Sequence, residues 1–394
     1  MRFYVIGITD STQPFFTPEV LRVISQGRVF SGGKRHHDIM APLLPEGAQW
    51  IDITAPVADV IASYEEPETV VFASGDPLFF GFANTLRRLL PEAEIVVYPT
   101  FNSLQMLAHR LVLPYHDMHI VSLTGRPWPL FDRALIERQE KIGVLTDRQH
   151  TPAAIASRML YYGYDNYTMH VGEHLGHPHE ERVTTVTLHE AAEREWQQPC
   201  CLLLTTTEHR HRHCGLPDGE FALLHGRERM ITKMPIRLLS LQALQLYDRQ
   251  VLWDVGFCTG SISIEARLLY PHLTVVAFEI RPECEQLIET NARHFGAPGI
   301  IVRMGDATEV PLDDLPRPDA VFIGGHGGRL KEIMARMLPL LNYGGCMVMN
   351  SVTDGSRQLF TEACQQLRLV MDEPLRVTIN DYNTIEILKC RKQP

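Results

Sequence analysis

The sequence predicts an α/β protein built as two units in series, the second of them a doubly wound sheet. Three observations predict it. Short apolar runs alternate with amphipathic stretches through the first half of the chain, a polar and turn-rich break follows at 209–219, and the same alternation restarts at Val251 with a glycine turn directly after its first strand. A chain of 394 residues has room for two or three compact units, at ~100 to 200 residues for each.

In the first half the apolar runs fall at 3–7, 70–73, 95–98, 119–123, 141–145, 168–171 and 201–205, and helical spacing fills gaps between them, as at 102–111 and 153–162. The break reads His209-Arg210-His211-Arg212-His213, then Gly215-Leu216-Pro217-Asp218-Gly219. Such a turn-rich stretch places a first domain at 1–214, a linker at 215–232 and a second domain at 233–394. Beyond it the expected order is strand 251–255, helix 261–269, strand 274–279, helix 282–295, strands 300–304 and 320–323, helix 330–338 and strand 345–350. A doubly wound sheet binds ligands beyond the carboxyl ends of its strands.

Composition excludes several classes. The formal charge of -10 disfavours a nucleic-acid partner, which demands a basic face. The N-terminal apolar run spans only about six residues, short of a signal h-region of ~7 to 15, and no stretch reaches the ~18 apolar residues of a membrane helix. The chain therefore reads as cytoplasmic, with no membrane partner. Its eight cysteines never form C-x-x-C and sit mostly in apolar runs, as reduced core thiols do, so neither a disulfide framework nor a zinc site is expected. In an extended run the histidines of 209–213 face away from its arginines, which leaves any metal site there incomplete.

The second unit carries an ordered set of cofactor signals. Asp254-x-Gly256-x-x-x-Gly260 occupies the first strand-to-helix turn, where glycines let backbone N–H groups approach a ligand. Glu279 ends the next strand, placed to accept both hydroxyls of a ribose, and Asp306-Ala307 follows the third, placed to meet an adenine amine. Cys258 stands where a middle glycine is usual, a departure that matters most for a pyrophosphate. S-adenosylmethionine has none, and it is the cofactor expected. After the fourth strand, four glycines around His326 suggest backbone close to a large flat ligand. No Asn/Asp-Pro-Pro-aromatic turn is present there, which disfavours methylation of DNA.

The first unit has its own glycine turn, Ser74-Gly75-Asp76-Pro77, directly after an apolar run. It keeps company with Gly32-Gly33-Lys34-Arg35-His36, Ser122-Leu123-Thr124-Gly125-Arg126, Gly172-Glu173-His174-Leu175-Gly176 and Gly215-Leu216-Pro217-Asp218. In that order they resemble the tetrapyrrole methylases of corrin synthesis. The segment from Ile231-Thr232-Lys233 through Arg237 to Trp253-Asp254-Val255-Gly256 resembles the junction of one family in particular, the fused decarboxylating precorrin-6Y C-5,15-methyltransferases.

The resemblance runs nearly end to end. It implies a tetrapyrrole-methylase fold of two α/β subdomains followed by a Rossmann-like class I methyltransferase domain. It implies two S-adenosylmethionine sites, one at Gly75, Asp76 and Pro77, the other at Asp254, Gly256, Gly260, Glu279, Asp306 and Ala307. The first module would methylate C-5 of a precorrin or cobalt-precorrin, and the second would methylate C-15 and remove the ring C acetate carboxyl. Such a polycarboxylate tetrapyrrole needs local cations, for which Arg35, His36, Arg126, Lys233 and Arg237 are the candidates, and decarboxylation calls for a positioned acid, for which His326 is the candidate.

Three sites depart from the family. Its glycine-rich N-terminal loop is here Gly7-Ile8-Thr9-Asp10-Ser11-Thr12, its His-Gly-Arg is Thr124-Gly125-Arg126, and the serine or threonine common after the Gly-Gly of its second module is His326. A methyltransferase acting on another tetrapyrrole, with the first module a binding carrier, is the competing expectation. Oligomeric state is left open, a homo-oligomer included.

Overall fold

The computed structural model describes residues 1–380 and 384–392. The chain forms two compact units, the first made of Met1–Pro127, Glu140–Arg158 and Asn166–His209, the second of Trp128–Gln139, Met159–Asp165 and everything from Arg210 onward.

In the first unit, strands β1 (Arg2–Ile8), β2 (Val29–Gly32), β3 (Gln49–Asp52), β4 (Glu68–Ser74) and β5 (Glu94–Tyr98) form an all-parallel sheet in the order β3-β2-β4-β1-β5. The apolar residues of β1 and β4 pack on both faces, Phe3, Val5 and Val71 on one side and Ile6, Ile8 and Phe72 on the other, as a parallel sheet covered on both sides requires. A second sheet holds β6 (His119–Ser122), β7 (Lys141–Leu145), β8 (Tyr167–Glu173), β9 (Arg182–Thr187) and β10 (Cys200–Thr206) in the order β6-β7-β10-β8-β9, parallel only between β6 and β7. The apolar runs marked strands β1, β4 to β8 and β10. Strands β2, β3 and β9 went unmarked because they are short or half polar.

One crossing positions the site. Gly7 pairs with Ala73 and Ile8 with Ser74, and the Gly75 N–H donates to the Ile8 carbonyl at 2.8 Å. A Cβ on Gly7 would collide with the Gly75 carbonyl oxygen. Only glycine lets these two strand ends meet, and their loops, 9–12 and 75–81, open on the same side.

In the second unit, β11 (Val251–Val255), β12 (Thr274–Glu279), β13 (Ile301–Met304), β14 (Ala320–Ile323) and β15 (Cys346–Ser351) are parallel neighbours in the order β13-β12-β11-β14-β15. Strand β18 (Ile385–Arg391) adds antiparallel to β15 and pairs with the short β16 (Val370–Met371) and β17 (Leu375–Val377). The chain winds outward from β11 to β13 and then returns to the other side of β11, so the order reverses between β11 and β14. That switch point is where a doubly wound sheet leaves a crevice. Among the described residues no helix is long and apolar enough to cross a membrane.

The stretch expected to be a polar linker, 215–232, is woven into the second unit. Leu216, Phe221, Leu224 and Ile231 are buried against Phe257, Ile264, Cys284 and Ile288. Glu265, fully buried, accepts from the Gly215 and Leu216 N–H groups at 2.9 Å each and from Arg237 Nε at 2.9 Å. Arg237 also donates to the carbonyls of Thr232 and Leu216 and lies 3.2 Å from Asp218. Hydrophobic spacing in 216–231 is too irregular to announce this packing, whereas its glycines and prolines read as a break.

Candidate functional site

At the switch point of the second unit lies a cavity of about 360 Å³, lined among others by Gly256, Glu279, Asp306, Ala307 and His326. Gly256 has φ +77°, and a Cβ there would stand 2.6 to 2.8 Å from the Gly325 backbone, so the turns after β11 and β14 touch through bare glycine. Gly260 serves packing instead, since a Cβ there would strike Ile288, and it begins helix Ser261–Leu269 at φ +76°. Cys258 adopts φ +49°. The left-handed backbone that makes glycine usual here is thus retained by a cysteine, at a cost of roughly 1 to 2 kcal/mol.

Asp254 does not line the cavity. Its carboxylate is buried, with Oδ2 accepting from Ser263 Oγ at 2.6 Å and Oδ1 without a partner. Burial pushes its pKa up to about 7. Its role is to tie the end of β11 to the helix that follows.

Glu279 is the most heavily coordinated group of the site. Oε2 accepts from the Cys258 N–H at 3.0 Å and Arg281 Nη2 at 2.6 Å, and Oε1 from the Ile280 and Arg281 N–H groups and Arg281 Nε at 2.9, 3.1 and 2.9 Å. Burial opposes the charge, but these donors outweigh it and hold the carboxyl below its usual range. Ile280 lies beside it with 61% of its surface exposed, an apolar face at the cavity edge. Asp306 Oδ1 accepts from the Thr308 hydroxyl and N–H at 2.7 and 2.8 Å, and Oδ2 meets Arg329 Nη1 at 2.5 Å; the threonine bonds and then the guanidinium lower its pKa. His326 Nδ1 accepts from the Gly328 N–H at 3.2 Å, which leaves Nε2 to carry the ring proton, and partial burial lowers its pKa.

Sequence reasoning missed Arg227, Arg281 and Arg329, three cations that line this cavity. Only Arg281 carried a signal, two residues beyond the strand-end acid. Two junction candidates lie elsewhere. Lys233 is half exposed with Asp218 at 3.9 Å, and Arg237 is fully buried and saturated, so it cannot reach a substrate carboxylate.

In the first unit two cavities flank Gly75, of about 320 and 430 Å³. Gly75 lines both and adopts φ +63°. Asp76 and Pro77 line neither: Asp76 Oδ1 accepts the Leu78 N–H at 2.8 Å, and Pro77 packs where a Cβ on Gly81 would strike its carbonyl. They build the turn that carries Gly75 and starts helix Phe82–Leu89.

Arg35 lines the smaller cavity, with Nη1 3.1 Å from Asp10 Oδ1 and Nη2 donating to Ser74 Oγ at 2.8 Å. His36 lines the larger, its Nδ1 accepting from the Gly33 N–H at 3.2 Å and its Nε2 lying 2.9 Å from the same Ser74 oxygen. Burial, reinforced by Arg35, pushes that imidazole down to about 4, so it is neutral near pH 7. With Arg35 and His36 both donating, the Ser74 hydroxyl keeps its own proton for a ligand. Arg126 stands 4.9 Å over the Phe80 ring at the larger cavity. Ser74, Asp10 and His174, which lies 3.5 Å from Asp10, were not singled out from sequence as site residues.

A glycine turn at the switch point, with acids ending the next two strands, defines a nucleoside-binding doubly wound domain of the methyltransferase kind, here following a separate α/β unit. The family described as Tetrapyrrole (Corrin/Porphyrin) Methylases matches residues 2–192, and the Precorrin methyltransferase domain matches 224–384. A Sinorhizobium protein named precorrin-6Y C(5,15)-methyltransferase [decarboxylating] is 33% identical over 351 residues, 89% of this chain and 84% of that protein. A Mycobacterium tuberculosis protein of the same name is 32% identical over 307 residues, 75% of this chain and 73% of that one. The crystal structure of a precorrin-6Y C5,15-methyltransferase from Geobacter metallireducens is 33% identical, covering 45% of this chain and 97% of that one, with a TM-score of 0.42. The chain belongs to the precorrin-6Y C(5,15)-methyltransferase (decarboxylating) family.

Proposed function

We propose that this chain methylates a precorrin twice, at C-5 in the first unit and at C-15 in the second, and removes the ring C acetate carboxyl in the second. The observation that carries the reading is the match to the Sinorhizobium methyltransferase over 89% of the chain, together with the two family matches at 2–192 and 224–384, one on each unit. We assign the first activity to 1–214 and the second to 233–394, with 215–232 packed as part of the latter.

The second cavity fits S-adenosylmethionine. Glu279 suits a ribose diol, the exposed Ile280 suits the face of an adenine, and bare backbone at Gly256 and Gly325 admits a ligand. In the first unit the glycine turn at Gly75 and the Ser74 donor fit the same ligand, giving two sites. The bound cofactor supplies an electrophilic sulfonium methyl.

What the chain must do is align that methyl with a nucleophilic bridge carbon about 3 to 3.5 Å away in a dry cleft. Arg35 and Arg126 in the first unit, and Arg227 and Arg329 in the second, bind substrate carboxylates. Loss of carbon dioxide leaves an electron pair on the ring C substituent, and we assign to the His326 Nε2–H, which keeps the ring proton because Nδ1 accepts from Gly328, the donation toward the pyrrolic system that takes up that pair.

Turnover of the purified chain with S-adenosylmethionine and a metal-free or cobalt-loaded precorrin tests this by product mass. Two added methyls with loss of one carboxyl is the expected result, and one methyl with the carboxyl retained overturns it. Titration with S-adenosylhomocysteine should count two sites per chain. His326→Ala should slow carbon dioxide release on the order of a hundredfold while C-5 methylation persists.

A further inference from the structure

We propose that Asp10 accepts the proton released when C-5 is methylated in the first unit. The proposal rests on the assignment of C-5 methylation to that unit. When the bridge carbon attacks the sulfonium methyl, a C–C bond forms and the S–CH3 bond breaks, releasing the neutral thioether. The macrocycle then carries the positive charge, and C-5 holds both its hydrogen and the new methyl. Conjugation returns only when the C-5–H bond breaks, its electron pair going to the macrocycle and its proton to a base.

Among the described residues, Asp10 is the only carboxylate lining either cavity beside Gly75. The other groups there are poor acceptors. His36 has both ring nitrogens engaged, and burial raises the thiols of Cys200 and Cys201, the latter to about 12. Asp10 is 9% exposed, so its carboxylate is held rather than free to wander. Arg35 fixes Oδ1 at 3.1 Å, while Oδ2 has the His174 Nδ1 at 3.5 Å. His174 sits at φ +47°, a left-handed conformation that a non-glycine residue keeps only where its surroundings enforce it. The same Nδ1 also lies 3.7 Å from Glu180 Oε2, on a mostly exposed side chain, so a single ring nitrogen stands between Asp10 and a solvated carboxylate and can pass a proton from one to the other. The proposal also gives a use to the loop in which this chain departs from the glycine-rich pattern of its family.

The test compares the full-length protein with Asp10→Asn and Asp10→Ala, using precorrin carrying hydrogen or deuterium at C-5. For Asp10→Asn the rate of C-5 methylation should fall on the order of a hundredfold, with S-adenosylhomocysteine affinity at the first site and carbon dioxide release at the second retained. Deuterium at C-5 should slow the Asp10→Asn variant more than the wild type, because proton removal has become limiting. Added formate should restore part of the C-5 rate to Asp10→Ala, which a purely structural carboxylate would not allow. An Asp10→Asn rate within twofold of wild type, or a loss with neither isotope effect nor formate rescue, overturns the proposal alone. Failure of the wild type to methylate C-5 while it methylates C-15 overturns the assignment of the first unit, and the proposal with it.

Discussion

Arg281 closes on Glu279 with two arms of its guanidinium, Nε to Oε1 at 2.9 Å and Nη2 to Oε2 at 2.6 Å, so the strand-end acid is already saturated. A ribose diol that uses this carboxylate must share it with the guanidinium or displace it. Glu279→Ala should weaken S-adenosylhomocysteine binding at the second unit by roughly 10- to 150-fold, the value of about 1.5 to 3 kcal/mol for a charged hydrogen-bond partner. Arg281→Ala should leave the affinity unchanged or tighten it, because the competitor is gone. Calorimetry separates the two, and equal losses in both variants would mean that Arg281 is itself a binding group.

Asp254 makes a pH prediction with a definite sign. Its folded-state pKa of about 7 lies above its unfolded value, so the native state holds the proton more tightly. Its contribution to stability is complete below about pH 4, that of an unperturbed aspartate, and is lost as pH rises toward about 7. Asp254→Asn imitates the protonated form and abolishes the change. Thermal unfolding should show the variant gaining on the wild type between pH 5 and pH 8; a constant difference between them would refute the buried acid.

How far the sequence announced these features depends on whether they are written locally. Strand β11, its glycine turn and Glu279 are, since a buried parallel strand is a continuous apolar run and the acid follows about one strand-helix-strand repeat later. The expected cofactor set was less uniform than its spacing suggested: Gly256, Glu279, Asp306 and Ala307 line the cavity, while Asp254 and Gly260 support its walls. Groups joined by tertiary contact were not legible. Ser74, Asp10 and Arg35 lie 64 residues apart at most along the chain, yet meet only because β1 and β4 pair at Gly7. The burial of 215–232 was hidden in the same way, since its glycines and prolines say turn and only the fold says that the turns are covered.

The ion pair of Arg237 and Glu265 predicts a stability effect. Both side chains are fully buried, and Glu265 also holds the Gly215 and Leu216 N–H groups. Glu265→Ala leaves the buried Arg237 Nε without its acceptor, with only Asp218 and two carbonyls still on the guanidinium, and strands two backbone donors, and should cost about 3 to 5 kcal/mol. Lys233→Ala, on an exposed chain of the same region, should stay within about 0.5 kcal/mol of wild type. Urea unfolding measures both, and near-equal midpoints for the two variants would remove the pair from the list of elements that hold 215–232 in place.

The last prediction divides the labour between the two loops that meet in the first unit. Gly75 adopts φ +63°, and a Cβ on it would stand 3.0 Å from Asn102 Cα, the residue whose side chain caps helix Ser103–Leu111. Valine at this position adds a branched side chain in a left-handed conformation that such residues rarely enter, and forces the turn away from that helix. Gly75→Val should therefore abolish S-adenosylhomocysteine binding at the first site while the second site titrates normally, which shows that the chain has folded. Replacing 9–11 by a glycine-rich loop should do the reverse. It removes Asp10 and frees Arg35 but leaves the Ser74 to Gly81 turn intact, so C-5 turnover should drop while cofactor affinity is spared. Titration and product mass on both proteins decide it: a loop replacement that loses the cofactor, or a Gly75→Val chain that still binds it at the first site, would invert the assignment of the two loops.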